Sequence, residues 1–207
     1  MNDFEEFFSE DYEFIGKIAD EYNVKVRLRA LEEDTRGYII DGEIVLNRFL
    51  YPERRNWTFC HELGHLVLGH SDHPSMEEDR AADRFAAELM LPEGDFMRDS
   101  RCRNLEELKR IYPHASYEAI ARRLGQFQPV VMSIFDDGQL TFRGGSPQIV
   151  FPQNPFPEEL AIVDRSFREK RSLEESSPLM NLKAFYIDQG REVVRVILIS
   201  EPQESEV

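Results

Sequence analysis

The spacing of apolar residues predicts a mixed helix and strand region up to about residue 125. Apolar positions recurring at helical intervals predict helices, and strict alternation predicts a half-buried strand. An Asp-Gly pair between two apolar runs predicts a hairpin turning at Asp41-Gly42. The predicted elements are a helix over 3–22, a strand over 24–31, a hairpin over 37–46, a helix from Pro52 to a stop at Gly69, a helix over 76–90, and helices over 105–112 and 116–124.

After Pro129 the pattern changes to strands with one further helix. We predict hairpins at 130–143 and 184–199, a loop over 147–157 and a helix over 158–171. The chain is therefore predicted to be an α+β protein. We expect a first domain over 1–126, in which a small sheet packs on the helix that starts at Pro52, and a small α/β module over 127–207.

The helix after Pro52 carries the chemistry, because it contains H-E-x-x-H from His61 to His65. Residues four apart lie on one face of a helix, so the two imidazoles can bind the same metal ion. Glu62 is rotated away from both histidines and is a candidate general base toward a water on that metal. The surrounding apolar residues indicate a buried helix, in which unpartnered histidines would be costly.

A third ligand is expected from the helix over 76–90, where three acidic residues stand near the start. Glu77 falls on a polar face and is interpreted as a solvated residue near the positive end of the helix dipole. Asp79 is the favoured ligand and Glu78 the alternative. Asp83, one turn after Asp79, is expected to accept a hydrogen bond from the outer nitrogen of a ligating histidine.

Other potential functional groups receive structural interpretations. His70 follows the helix stop and is interpreted as a residue favoured by the helix dipole. Cys60 points away from His61 on the helix and is interpreted as a core thiol. His114 and Tyr117 are weaker candidates for stabilising a reaction oxyanion.

Charge and cysteine content restrict the expected cellular compartment and the expected binding partners. The formal net charge of -15 disfavours direct nucleic-acid binding, although helices 104–125 resemble a helix-turn-helix pair. Two cysteines make no disulfide framework and fit a reducing cytoplasm. With neither a signal-peptide pattern nor a membrane-length apolar run, we expect a cytoplasmic protein without membrane contact.

Two segments together resemble the ImmA/IrrE family of zinc metallo-endopeptidases, which have a gluzincin-like H-E-x-x-H site. They are Phe59–His65 and Asp79–Pro92, the second resembling the family helix E-x-E-A-[ND]-x-F-A-A-x-L-L-M-P. The resemblance implies a zincin-like fold and places the third ligand of the family at Asp79. This sequence departs from the family pattern there, because Asp is one methylene shorter than Glu and Ala81 stands where a second Glu is common.

The resemblance implies an enzyme that holds Zn²⁺, with Mn²⁺ or another divalent ion as alternatives. Its expected protein substrate is a helix-turn-helix transcriptional repressor, whose cleavage switches on mobile-element or stress-response genes. The alternative function is a metal-dependent regulatory protein that displaces a repressor without cutting it. No motif assigns a role to residues 127–207.

Overall fold

The structure is a computed structural model and describes residues 12–71, 73–190 and 193–203. Its helices are α1 (Glu13–Glu21), α2 (Pro52–Leu68), α3 (Met76–Met90), α4 (Glu93–Ser100), α5 (Leu105–Ile111), α6 (Tyr117–Phe127) and α7 (Pro157–Glu169). Its strands are β1 (Lys25–Arg29), β2 (Gly37–Ile40), β3 (Glu43–Asn47), β4 (Val131–Asp136), β5 (Gln139–Gly145), β6 (Leu173–Ser176), β7 (Met180–Ile187) and β8 (Arg195–Pro202). Among the helices of the described residues, none combines the length and hydrophobicity needed to cross a membrane.

The chain forms two compact units. The first contains the described residues up to Phe96 together with Tyr112–Ser116, and the second contains Met97–Ile111 and the residues from Tyr117 onward. The helices predicted within the first domain, α5 and α6, thus belong to the second compact unit. The boundary at 126 remains a prediction.

In the first unit, a three-stranded sheet in the order β1-β3-β2 packs on α2, as the sequence predicted. β2 and β3 form the antiparallel hairpin, whose turn residues Asp41 and Gly42 have φ of 51° and 74°. Such left-handed turn residues match the twist of the flanking strands. β1 joins the other side of β3 in parallel, so β1 and β2 are the edges of the sheet.

Helices α2 and α3 pack closely because small residues meet where they cross. A Cβ atom added to Gly64 on α2 would lie 3.1 Å from Ala82 Cα and 3.2 Å from Ala82 O on α3. Ala82 is itself fully buried, as are Phe59 and Leu63 on α2. This packing fixes the two helices that carry the predicted ligands.

The second unit is built on a five-stranded antiparallel sheet in the order β5-β4-β8-β7-β6. Helix α7 covers it through Ile162 and Val163, which pack in a buried cluster with strand residues such as Phe135 and Leu198. A buried ion pair joins Arg143 of β5 to Glu159 of α7, with Nη2 to Oε2 at 2.9 Å.

The observed elements differ from the sequence predictions in several places. Helix α4 and strand β6 were not predicted. The helix predicted over 3–22 is observed as Glu13–Glu21, and residues 3–11 lie outside the described residues. The strands of the last hairpin are shifted, since β7 begins at Met180 and β8 continues to Pro202.

Candidate metal centre

The two histidines of the motif turn toward each other on α2. His61 Nε2 and His65 Nε2 are 3.1 Å apart. His65 is buried, whereas the side chain of His61 is 23% exposed. One turn of helix separates the rings, and the buried residues Cys60 and Leu63, which are close to them in sequence, lie in the core.

Asp79 of α3 approaches the same point. Its Oδ1 lies 3.4 Å from His65 Nε2, and one ligand atom from each of His61, His65 and Asp79 falls within 4.8 Å of the others. Among the described residues, this is the one group of three or more His, Cys, Asp or Glu side chains that converge in this way. The close packing of α3 on α2 brings the short Asp79 side chain within reach.

The carboxylate of Glu78, the alternative ligand, has a different role in the structure. Glu78 Oε2 accepts a hydrogen bond from the backbone N–H of Ser75 at 2.7 Å, while Ser75 Oγ accepts one from the Glu78 N–H at 3.3 Å. This reciprocal pair is a capping box, which satisfies backbone donors at the start of α3. Glu77 is exposed, in agreement with the solvated role expected for it.

Each histidine also has a partner at its outer nitrogen. Asp83 Oδ1 lies 2.9 Å from His61 Nδ1, the contact expected of Asp83. His70 Nδ1 lies 2.9 Å from His65 Nδ1, a contact that the sequence analysis missed when it assigned His70 to the helix dipole. The available signal was Gly69, since a left-handed glycine at a helix end turns the following residue back over the last turn.

The electrostatics suit a ligand set with a nearby base. Burial raises the pKa of the Glu62 carboxyl, an effect that His61 opposes and the Asp79 carboxylate reinforces. Burial lowers the pKa of His65, and His61 and His70 lower it further, which together outweigh the opposing effect of the Asp79 and Glu78 carboxylates. A neutral imidazole is the form that binds a metal, so the environment of His65 favours the ligating state.

The donor chemistry of these residues fits a divalent cation. Two imidazole nitrogens and one carboxylate oxygen form the three-ligand set of many catalytic zinc sites, which leave a fourth position for water or substrate. Manganese and other divalent ions accept the same donors, so the ligand types alone do not select zinc. Glu62 is adjacent in sequence to His61, and its carboxyl interacts electrostatically with both His61 and Asp79.

His114 is held by contacts elsewhere in the first unit. Its Nε2 donates to Met90 O at 2.8 Å, its ring stacks on Phe14 with centroids 4.3 Å apart, and its carbonyl accepts from Asn56 Nδ2. These contacts tie the 112–116 segment to α1, α2 and the end of α3. His114 Nε2, which was a candidate oxyanion donor, therefore already donates its hydrogen bond to the Met90 carbonyl.

Fold and site together define a zincin-type α+β domain with a candidate metal centre made of two histidines and one aspartate. The chain belongs to the peptidase M78 family, since residues 18–125, more than half of its length, match the family model described as IrrE N-terminal-like domain. The resemblance to ImmA/IrrE proteins is thereby confirmed. Membership suggests a protease or regulator role, and for an enzyme a metallopeptidase with a divalent metal.

A solved structure has a similar fold. It is a Mycobacterium tuberculosis transcriptional regulator, with a TM-score of 0.66 and 16% sequence identity over 93% of this chain and 80% of that one. At this identity the likeness concerns the fold. No curated protein matches the sequence significantly.

Proposed function

We propose that the protein is a zinc-dependent endopeptidase that inactivates a helix-turn-helix transcriptional repressor by cutting it. The observation that carries the proposal is the convergence of His61, His65 and Asp79 beside Glu62 on packed helices. Family membership supports peptidase activity. The regulator named among similar folds is compatible with a role in transcription.

In this proposal His61, His65 and Asp79 hold the cation. When bound, the cation supplies Lewis-acid chemistry, polarising the scissile carbonyl and making water more acidic. Glu62 takes the proton of the attacking water and delivers it to the amine nitrogen of the leaving peptide. Asp83 orients the His61 ring from its outer nitrogen.

The peptide is proposed to bind along strand β2. This strand is an edge of the three-stranded sheet and packs against α2, the helix of the motif. An edge strand offers unpaired backbone groups that an extended peptide can pair with. Such pairing holds the peptide backbone without demanding a particular side-chain sequence.

The test compares the wild type with Glu62→Gln and a matched control, Glu77→Gln, which makes the same change at an exposed site on α3. The zinc-loaded full-length proteins are incubated with host-cell proteins, and new peptide N-termini are quantified by mass spectrometry. We expect a helix-turn-helix protein to be cut by the wild type and Glu77→Gln. Glu62→Gln should retain zinc and cut at least about 100-fold more slowly, as expected for loss of a general base.

The alternative function, displacement of a repressor without proteolysis, gives a different result. Glu62→Gln would then relieve repression in cells as fully as the wild type, and the partner protein would stay intact. Measuring target-gene transcripts alongside the N-termini separates the two functions. Full relief of repression by Glu62→Gln would refute the peptidase proposal.

A further inference from the structure

The two ring nitrogens of His65 face different partners. Nε2 lies 3.1 Å from His61 Nε2 and 3.4 Å from Asp79 Oδ1, on the side where the candidate ligands converge. Nδ1 lies 2.9 Å from His70 Nδ1 on the other side. The rings of His65 and His70 are nearly perpendicular, at 73°, with centroids 4.9 Å apart.

The backbone at the end of α2 builds this second contact. Gly69 adopts the left-handed conformation, with φ 69° and ψ 36°. The N–H of His70 donates to His65 O at 3.0 Å, and the N–H of Gly69 donates to Leu66 O at 3.3 Å. These two bonds form a Schellman motif, which returns the chain over the last helical turn. His70 is therefore joined to His65 through both its backbone and its ring.

The proton arrangement follows from the chemistry of imidazole. A neutral imidazole carries one N–H, so a His65 ring that presents a lone pair from Nε2 must carry its proton on Nδ1. That proton needs an acceptor, and the nearby group is His70 Nδ1. His70 must then carry its own proton on Nε2.

We propose that His70 is a positioning residue of the metal centre: it accepts the Nδ1 proton of His65 and so fixes the ring with Nε2 presented to the cation. The inference rests on the proposed metal-binding function of His65. Each of the two histidines then has a hydrogen-bond partner at its outer nitrogen, since Asp83 contacts Nδ1 of His61 in the same way. Partners of this kind set both the tautomer and the ring orientation of a metal-bound histidine.

His70 is distinguished from a ligand by its position. In the part of the chain that the structure describes, the converging ligand atoms belong to His61, His65 and Asp79. His70 contacts Nδ1 of His65, whereas Nε2 of His65 is the nitrogen on the side of His61 and Asp79. Two bound imidazoles, and not three, are therefore expected in the zinc-loaded protein.

The experiment measures zinc affinity of the full-length protein by competition with a chromophoric chelator. His70→Ala should weaken binding by about 10- to 100-fold, the usual effect of removing such a partner. His70→Asn should restore most of the affinity, because its Oδ1 occupies the position of His Nδ1 and accepts the same proton. His73→Ala, an exposed histidine in the same loop, is the matched control and should bind as the wild type does.

Two spectroscopic measurements complete the test. In ¹⁵N-histidine spectra of the zinc-loaded wild type, His65 Nδ1 should carry a slowly exchanging proton, which exchanges faster in His70→Ala. X-ray absorption should count two imidazole ligands. Three imidazoles, equal affinity of the wild type and His70→Ala, or equally weak binding by His70→Ala and His70→Asn would overturn the proposal. A wild type that binds no zinc would overturn the metal centre as well, whereas a zinc-binding wild type matched by His70→Ala would overturn the role of His70 alone.

Discussion

Replacing Gly64 with alanine is expected to weaken metal binding without touching a ligand. The new methyl carbon would lie 3.1 Å from Ala82 Cα and 3.2 Å from both Ala82 O and Phe85 Cδ1. Two of these atoms are backbone, which cannot rotate away. Helix α3 must therefore move from α2 by a few tenths of an ångström, carrying Asp79 away from His61 and His65.

The magnitude combines two opposing contributions. Overpacking at a tight core contact costs about 1–3 kcal/mol, whereas alanine in a helix gains roughly 0.5–1 kcal/mol over glycine. We therefore expect a net loss of unfolding free energy of up to about 2.5 kcal/mol. Zinc affinity should fall by at least about tenfold, or 1.4 kcal/mol, because Asp is the shortest carboxylate ligand and has little reach to spare.

The assay is chelator competition for zinc together with urea unfolding. Gly16→Ala in α1 is the control, since in the described part of the chain no atom beyond the neighbouring residues and the backbone of α1 lies within 4 Å of its added Cβ. It should gain the helical preference of alanine and leave zinc affinity unchanged. Adding Asp79→Glu to Gly64→Ala should restore zinc affinity, because the extra methylene extends the reach by roughly one C–C bond, about 1.5 Å.

Two results would contradict the predicted effect of Gly64→Ala. Unchanged zinc affinity in Gly64→Ala would show that the close helix contact does not set the ligand geometry. Failure of Asp79→Glu to rescue a weakened Gly64→Ala would show that the loss did not arise from the reach of this carboxylate.

Two further predictions concern the second unit. Glu159→Gln should lower the unfolding free energy, measured by urea titration, by about 3–5 kcal/mol, because it leaves the buried Arg143 without its charge partner. Glu169→Gln, which changes an exposed ion pair, is the control and should cost less than about 1 kcal/mol. Equal losses in the two variants would contradict the role of burial. The hydrogen bond from Arg195 lowers the pKa of Asp136, so its stabilising effect is present above the ordinary carboxyl pKa and is lost as pH falls through the lowered one. Asp136→Asn should therefore be less stable than the wild type at pH 7, and the difference should vanish in strong acid; a difference independent of pH would refute this.

The helices of the candidate metal centre could be predicted because local signals agree along them. Pro52 and Gly69 mark the two ends of α2, and apolar residues follow helical spacing between them. A contact of Asp83 with the outer nitrogen of one of the two histidines was also predicted, since it needs only the relative faces of two packed helices. Fold class followed from the same local patterns.

Other features depend on contacts that local patterns do not encode. Helix α4 has eight residues, few of them apolar, and β6 has four, so both segments are too short to give a clear sequence signal. The parallel pairing of β1 with β3 joins segments that no short turn connects. The contact of His70 with His65 had a local signal in Gly69, but the pairing of the two rings also depends on their side-chain positions.

The metal content of the purified protein tests the central claim most directly. Elemental analysis of the wild type should find one divalent ion per chain. Asp79→Ala should lose it, while Glu78→Ala, which removes a helix-capping carboxylate, should keep it. A metal-free wild type, or full metal content in Asp79→Ala, would contradict the proposed centre.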